Sequence, residues 1–343
     1  MKRKFITLII CILILFFGII FGVFLRQNKT TWAFIKKPFI ESYVKSDDSK
    51  KVGWSNDFEI VEIKSSIDNN IQKAYFYKSK SDKPRPLIVS LHTWNGDYKQ
   101  IDLLSELCKS KDLNYIHPDF RGANITKDAC CSELALNDID ESISFAIKNA
   151  KVDTSMIFVI GVSGGAYATI CTFMKSNQRI KKISAWAPIT DLIAWFNEST
   201  IRQNNYANNI LDCTESINGS LNENLAKQKS PIYWKTPINK LSYSEIKIYT
   251  GVFDGIQGSV PITHSINFYN KILSDLSVTD LSKYVSDKEK LQLLEYRKPL
   301  GDFGMIAERH ICLIKEFKNI KLIVFEGKHE MLSEYALNEL LEN

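Results

Sequence analysis

The sequence predicts an α/β protein with a mostly parallel sheet and a leading antiparallel hairpin. Short apolar runs recur along the chain, as expected for strands that are buried on both faces of a sheet. Segments of helical periodicity separate these runs, which is the alternation typical of parallel α/β folds. The apolar runs lie at 87–91, 113–117, 156–160, 183–187, 246–250 and 322–325, and the helical segments at 101–109, 139–150, 166–176, 262–276 and 331–341.

The composition is that of a globular protein. The chain has 343 residues, of which 45% are hydrophobic and 24% charged, and it could form one large domain. The net charge of +5 is modest, and the basic residues are scattered among acidic ones. Because no basic stripe with interleaved aromatic residues is present, we expect no nucleic-acid partner.

The sequence of residues 1–26 predicts a hydrophobic membrane anchor or a signal segment. Basic residues at 2–4 precede an uncharged apolar run at 5–25, which is long enough to cross a bilayer core of roughly 30 Å. No cleavage site of the A-x-A type follows, so an uncleaved anchor is favoured over a cleaved signal peptide or a buried helix. Basic residues lie both before and after the apolar run, which weakens the charge asymmetry that would indicate the orientation of the helix in the membrane. We expect a single N-terminal membrane helix, with the catalytic domain outside the cytoplasm.

The catalytic domain is predicted to span 57–343, after a stalk or linker at 27–56. Segment 58–63 alternates between apolar and polar residues, and 71–77 also reads as a half-buried strand. The polar residues at 68–70 between them suit a turn, so the two segments form the leading hairpin.

The most informative motif is a glycine-flanked serine at the end of a predicted strand. Gly161-Val162-Ser163-Gly164-Gly165 follows the apolar run 156–160 and precedes a helical segment. G-x-S-x-G between a strand and a helix is typical of a nucleophile elbow, which presents the serine hydroxyl above the sheet. A phosphate-binding turn at a helix N-terminus is the alternative. No Walker lysine follows the turn, so we assign Ser163 as the nucleophile.

A serine nucleophile needs a histidine base that an acid orients. Asp254 follows the apolar run 246–250, and His329 follows the last run, 322–325. The order Ser163, Asp254, His329 is that of elbow-type hydrolases. A helix-capping aspartate and an ordinary loop histidine are the alternatives. Three separate positions fit one ordered template, which favours a catalytic triad.

The oxyanion hole is predicted from two backbone N–H groups. One belongs to Gly164, directly after the nucleophile. The other comes from the loop after the run 87–91, where Thr93 and Trp94 are the candidates and Trp94 is preferred. His92, at the start of this loop, is assigned a structural role.

A second loop, at 118–122, follows the run 113–117. Asp119 and Arg121 in this loop are expected to form a local ion pair. A contact between Arg121 and the substrate is the less favoured alternative.

The six cysteines outside the apolar N-terminal run allow disulfides in an oxidising compartment. The adjacent Cys130 and Cys131 could bridge to Cys213 or another partner, and free thiols remain equally open. Cys171 reads as a small buried residue of the helix after the elbow. The spacing indicates no zinc site, and we expect no metal or cofactor. The six are Cys108, Cys130, Cys131, Cys171, Cys213 and Cys312.

Two long insertions interrupt the strand–helix alternation, at 191–245 and 277–319. The first is rich in Asn, Trp and Tyr, and the second has helical periodicity at 290–294. Long insertions above the carboxyl ends of strands usually form lids and specificity elements.

Together these motifs resemble those of the prolyl oligopeptidase-like (peptidase S9 type) serine hydrolases of the α/β-hydrolase superfamily. The resemblance implies an α/β-hydrolase fold with an eight-stranded sheet and the roles assigned above. The chain departs from the family in having His92-Thr93-Trp94 where H-G-G is frequent, and Gly164 where an aromatic residue is usual. About thirty residues separate the anchor from the hairpin, too few for a large N-terminal propeller. The matching segments are 86–94, 118–122, 161–167, 250–254, 260–261, 264–265 and 327–330.

Three functions follow from this pattern. The favoured one is a membrane-anchored hydrolase of small or glycan-linked carboxylic esters, because propeller-less relatives resemble carboxylesterases and acyl or acetyl esterases. The alternative is a serine peptidase acting on short peptides. A pocket carboxylate pair would favour an aminopeptidase, and Asp191 and Glu198 are the nearest candidates. A non-catalytic binding protein is the third, and the intact triad argues against it.

Overall fold

The computed structural model describes residues 53–342. The expected anchor at 1–26, and the linker at 27–56 up to residue 52, lie outside the described residues. Within 53–342, no helix has both the length and the apolar character needed to span a bilayer. A compact unit begins at Trp54, whose ring stacks on Tyr75 of the hairpin at 4.1 Å. It therefore starts slightly before the predicted boundary at 57.

The domain is built on a ten-stranded sheet with the order β1-β2-β4-β3-β5-β6-β7-β10-β9-β8. The six strands from β4 to β10 in this order pair in parallel, and both edges are antiparallel. The strands are β1 Glu59–Lys64, β2 Ile71–Tyr77, β3 Arg85–Leu91, β4 Asn114–Pro118, β5 Val152–Val162, β6 Lys182–Trp186, β7 Glu245–Gly251, β8 Met305–Ile306, β9 Arg309–Phe317 and β10 Ile320–Phe325.

Helices connect the parallel strands and cover the sheet. Residues 157–161 of β5 are all buried, which explains why 157–160 is a continuous apolar run without alternation. The α-helices are α1 Leu103–Ser110, α2 Glu133–Asn149, α3 Gly164–Lys175, α4 Leu192–Ile201, α5 Tyr206–Cys213, α6 Glu223–Gln228, α7 Thr263–Asp275, α8 Asp287–Tyr296 and α9 Ser333–Leu341. Short 3-10 helices lie at Pro231–Tyr233, Ile238–Ser242 and Leu281–Lys283.

The mostly parallel sheet with a leading hairpin is confirmed, and the strand count of eight is wrong. The two additional strands, β8 and β9, belong to the insertion at 277–319, which also contains α8. β9 pairs with β10 across a tight turn at residues 318–319 and extends the sheet edge. The insertion at 191–245 contains α4, α5 and α6, and its last residue, Glu245, is the first residue of β7.

The predicted ion pair between Asp119 and Arg121 is wrong. Arg121 Nε donates to Asp138 Oδ2 at 2.5 Å, and its Nη1 donates to Asp68 Oδ2 at 2.6 Å. Its side chain is only 7% exposed, so it lies in a buried network that joins the hairpin turn to α2. Asp119 instead accepts the backbone N–H of Tyr98. Arg121 is thus structural, and the alternative of a substrate contact has no support.

Candidate active site

Ser163 lies on a sharp turn between the last residue of β5 and the first residue of α3. Its backbone has φ 58° and ψ −122°, a conformation that costs a non-glycine residue free energy and is often found at active sites. Ser163 N–H donates to Trp186 O at 2.8 Å, which ties the turn to β6. The side chain makes no capping bond to α3. The hydroxyl is therefore left available for chemistry.

The glycines of the elbow permit a close approach of three backbones. A Cβ at Gly161 would collide with the backbone of Gly165, and a Cβ at Gly165 would collide with Leu91 O at the end of β3. Any side chain at these two positions would force the elbow away from the sheet. The sequence pattern thus reflects a steric requirement of the turn.

Asp254 and His329 form a hydrogen-bonded pair. His329 Nδ1 lies 2.7 Å from Asp254 Oδ2. Asp254 is fully buried, and its other oxygen accepts the backbone N–H groups of Gly255 at 2.8 Å and Val260 at 3.2 Å. Both carboxylate oxygens are therefore held in place. This arrangement fixes the His329 ring and leaves Nε2 as its second polar atom.

Close loop packing brings the acid and the base together. The loops after β7 and β10 touch through a bond from Phe253 N–H to Gly327 O at 2.9 Å. A Cβ at Gly258 would collide with both Asp254 and His329, so only glycine fits beside the pair. No sequence motif marks Gly258, because its role arises from contacts between loops that are distant in the chain.

Arg297 supports the acid loop from the second insertion. Its Nη1 donates to Val252 O at 2.7 Å and lies 3.5 Å from Asp254 O. Burial lowers the pKa of Arg297, and the nearby Asp254 carboxylate opposes this effect. The sequence pattern gave no indication of this residue, since it is a lone arginine at the end of α8.

The two predicted oxyanion donors lie next to each other. Gly164 is the first residue of α3, where a backbone N–H has no partner inside the helix. Thr93 N–H donates to Gln100 Oε1 at 3.0 Å, whereas Trp94 N–H has no hydrogen-bond partner among the described residues. The free N–H therefore favours Trp94 over Thr93. A Cβ at Gly164 would collide with Trp94 N, which explains the glycine after the serine.

His92 buttresses the oxyanion loop, in agreement with its predicted structural role. Its ring is buried and stacks on Phe120 at 3.8 Å, and its Nε2 lies 2.6 Å from Asp119 O. Burial lowers the pKa of His92. On the other side of the loop, Asn124 N–H donates to Trp94 O at 2.8 Å. The backbone at Trp94 is thus held from two directions.

A cavity of about 220 Å³ opens above Ser163. Tyr206, the first residue of α5, forms part of its wall; the insertion at 191–245 therefore contributes to the site. Ser163 is 8% exposed, and no hydrogen bond within residues 53–342 joins its hydroxyl to His329, as is frequent before substrate binds. A larger cavity of about 470 Å³ lies at the opposite end of β5 and β6, far from the triad. The lining of the smaller one is Thr93, Trp94, Asn95, Val162, Ser163, Tyr206 and His329.

The carboxylates proposed for gripping a substrate amine serve other roles. Asp191 caps α4 by accepting the backbone N–H groups of Ile193 and Ala194. Glu198 pairs with Arg202 at 3.2 Å. Neither lines the cavity above Ser163. The aminopeptidase hypothesis therefore loses the residues that would have supported it.

Solved structures share this architecture. A Pyrococcus horikoshii acylaminoacyl peptidase matches with a TM-score of 0.52 and 16% identity, over 64% of this chain and 35% of that one. A Mycobacterium tuberculosis puromycin-hydrolyzing peptidase matches with a TM-score of 0.52 and 12% identity, over 82% and 37%. Prolyl oligopeptidase B from Galerina marginata matches with a TM-score of 0.51 and 15% identity, over 64% and 32%. The fold is that of the α/β-hydrolases.

The α/β-hydrolase fold that the resemblance implied is thereby confirmed. The chain spans about a third of the length of these proteins. No protein-family model matches the sequence, and no curated protein is similar enough to count as a match. In this α/β-hydrolase domain the three predicted triad residues follow β5, β7 and β10 at the carboxyl edge of the sheet, where α/β folds bind ligands.

Proposed function

We propose that the chain is a serine hydrolase that acts through an acyl-enzyme. The observation that carries this proposal is the 2.7 Å hydrogen bond between His329 and the buried Asp254. His329 and the strained Ser163 line the same cavity. Ser163 Oγ attacks the substrate carbonyl carbon while His329 Nε2 accepts its proton. Asp254 holds the ring and stabilises the imidazolium that forms.

The remaining steps use the same residues. The N–H groups of Trp94 and Gly164 stabilise the negative charge on the carbonyl oxygen. His329 then donates its proton to the leaving group, and the carbonyl forms again as an ester of Ser163. Water, activated by His329, attacks this ester and releases the acid.

For the scissile bond, we propose the amide of a short peptide. The three structures above are peptidases by name, which favours the peptidase hypothesis over the ester hydrolase that ranked first from sequence. The cavity of about 220 Å³ is below the usual range for ligand sites, which suits a small acyl portion. Hydrolysis of carboxylic esters remains the second candidate, because an ester passes through the same acyl-enzyme.

The lining of the cavity favours an uncharged acyl side of the substrate. No carboxylate is among the described residues that form it, so nothing there would pair with a free amino terminus. We expect an N-acetylated aminoacyl amide to react faster than the same amide with a free amine.

A substrate panel tests this proposal. Matched p-nitroanilides with free and acetylated amines, and p-nitrophenyl esters of the same acyl groups, would be compared by kcat/KM, with Ser163→Ala as the control. The proposal predicts turnover of the anilides that depends on Ser163 and is faster for acetylated ones. Turnover of esters alone would favour the ester hydrolase, and equal turnover by Ser163→Ala would contradict both.

We further propose that residues 5–25 anchor the protein in a membrane, with the catalytic domain on the extracytoplasmic side. The uninterrupted apolar run and its basic start support this location. The anchor predicts that the full chain stays in the membrane pellet after an alkaline carbonate wash and is released by detergent. Release by carbonate alone would contradict it.

A further inference from the structure

The loop after β7 turns backbone N–H groups towards the Asp254 carboxylate. Gly255 and Val260 donate to Asp254 Oδ1 at 2.8 and 3.2 Å. These two donors lie at opposite ends of the loop, so the acid keeps both bonds only while the loop keeps its shape. A Cβ at Gly258 would collide with Asp254 and His329, so the middle of the loop lies against the acid–base pair.

Three carbonyl groups of the same loop accept hydrogen bonds from the first insertion. Arg202, which directly follows α4, donates from Nη1 to Gly258 O at 3.0 Å and from Nη2 to Gly255 O. Trp195 Nε1, on α4, donates to Ser259 O at 2.8 Å. A guanidinium group is planar and its donors point in fixed directions, so Arg202 sets the separation of the two carbonyl groups it binds. The first insertion thus holds the acid loop from the side opposite the carboxylate.

The Arg202 side chain is itself oriented by Glu198. Arg202 Nε donates to Glu198 Oε2 at 3.2 Å, four residues earlier on α4. The nitrogen atoms Nε, Nη1 and Nη2 each donate a bond, which fixes the plane of the guanidinium group. The side chain is 29% exposed, so the ion pair by itself contributes little to the free energy of unfolding.

We propose that Arg202 is a positioning residue for the acid–base pair. It holds the loop after β7 so that the N–H groups of Gly255 and Val260 stay on Asp254. Asp254 in turn orients His329. Arg202 is not among the residues that line the candidate active-site cavity, so it acts through the acid and not on the substrate. This inference rests on the proposed hydrolase function and adds a residue to it.

The proposal predicts a selective loss of turnover in Arg202→Ala. We expect kcat to fall by about 10², the effect of displacing a catalytic group by about 1 Å. KM should change little, because Arg202 lies outside the cavity. Arg202→Lys should give an intermediate kcat, since an ammonium group lacks the planar fork that binds both carbonyl groups. The measurement is steady-state kinetics with the best substrate of the panel described above.

Arg85 provides a matched control. Its Nε and Nη2 donate to Asp112 O at 3.2 Å and Lys111 O at 3.0 Å, so this arginine also joins two backbone carbonyl groups. It is the first residue of β3 and lies at the amino edge of the sheet, opposite the triad. Arg85→Ala should therefore retain wild-type kcat, even if its Tm falls as much as that of Arg202→Ala. Equal kcat values in the two variants would overturn the proposal.

Chemical rescue distinguishes positioning from a general loss of stability. Because the Arg202 side chain is partly exposed, a guanidinium ion from solution can reach the space left in Arg202→Ala. Millimolar guanidinium chloride, far below denaturing concentrations, should raise the kcat of this variant until the site is saturated. It should leave the wild type and Arg85→Ala unchanged. Methylammonium chloride, which lacks the planar fork, should give no rescue. Equal effects of the two cations, or no effect of either, would contradict the proposed role.

The wild-type protein separates a failure of this inference from a failure of the proposed function. Wild-type protein without Ser163-dependent turnover would overturn both. Active wild-type protein together with an unchanged kcat in Arg202→Ala would overturn the positioning role alone. If Arg202→Ala does not fold, Arg202→Lys becomes the test variant. A reduced kcat with unchanged KM would then support the proposal, and wild-type kcat would overturn it.

Discussion

At the residue scale, the fold holds an unfavourable backbone conformation at Ser163, the residue expected to react. Ser163 has φ 58°, and its turn is held by the bond to Trp186 O and by glycines on both sides. Such strain persists only where the surrounding structure over-determines it. The local sequence therefore specifies the position of the nucleophile, and contacts between loops specify its partners.

The first residue-scale prediction concerns Asp254. Asp254→Asn keeps an oxygen that can accept the Gly255 and Val260 N–H groups, but it no longer holds His329 in the required tautomer. We expect kcat to fall by about 10⁴ with little change in Tm. Asp287→Asn, whose side chain is 94% exposed and lies outside the cavity, is the matched control and should retain wild-type kcat. A loss of less than tenfold in Asp254→Asn would remove Asp254 from the triad.

The second residue-scale prediction concerns the predicted oxyanion hole. In Gly164→Ala, the added methyl group would collide with Trp94 N and displace one of the two donors. We expect kcat/KM to fall by about 10² to 10³, the usual effect of losing one such donor. Gly53→Ala has open space around the new methyl group and serves as the control. Equal activity of both variants would mean that the hole is formed elsewhere.

Other residues of the site were not predictable from the sequence. Ser163, Asp254 and His329 follow strands and obey a known order, so the pattern identifies them as candidates. Tyr206, Gly258 and Arg297 lie in segments without a motif. Tyr206 and Arg297 reach the site because the two insertions fold back over the carboxyl edge of the sheet, and Gly258 reaches it because the loop after β7 packs against the loop after β10.

At the element scale, the buried parallel strands were predictable from the sequence, whereas β8 and β9, which extend one edge of the sheet, were not. The run at 246–250 matches β7, Glu245–Gly251, because a strand buried on both faces is apolar throughout. β9 was missed although 311–314 is apolar. Its hairpin turn, Lys318-Asn319, lacks the glycine that usually marks a two-residue turn, and the nearby helical periodicity of α8 dominated the pattern.

The element-scale prediction concerns the link between the hairpin and α2. Arg121→Met would leave Asp138, whose side chain is 1% exposed, without its cation. We expect the free energy of unfolding to fall by about 3–5 kcal/mol, measured by urea denaturation. Lys73→Met breaks the exposed pair with Glu62 and should change stability very little. Similar losses in both variants would show that the buried network has no special role.

At the scale of the whole molecule, two buried histidines should make stability depend on pH. Burial lowers the pKa of both His117 and His264 to about 4, below the ordinary value of 6.5. Between these values the unfolded chain binds more protons than the folded one, so stability is full above pH 6.5 and falls as the pH drops towards 4. Between pH 6.5 and pH 4, each histidine would lower the free energy of unfolding by about 3 kcal/mol.

His264→Asn tests this dependence. The asparagine oxygen can accept the Thr190 N–H that His264 Nδ1 now accepts, and it does not titrate. We expect urea unfolding of the variant to lose less stability than the wild type between pH 6.5 and pH 4. Identical pH profiles would show that His264 is not held neutral by the fold.

The central claim, that Ser163 is an activated nucleophile, is tested most directly by covalent labelling. The folded full chain is treated with a fluorophosphonate probe, and the modified residue is located by mass spectrometry. The triad geometry predicts a single adduct on Ser163, absent from Ser163→Ala and strongly reduced in Asp254→Asn. Folded wild-type protein that stays unlabelled, or that is labelled equally in Ser163→Ala, would contradict the assignment and favour a binding protein built on a hydrolase fold.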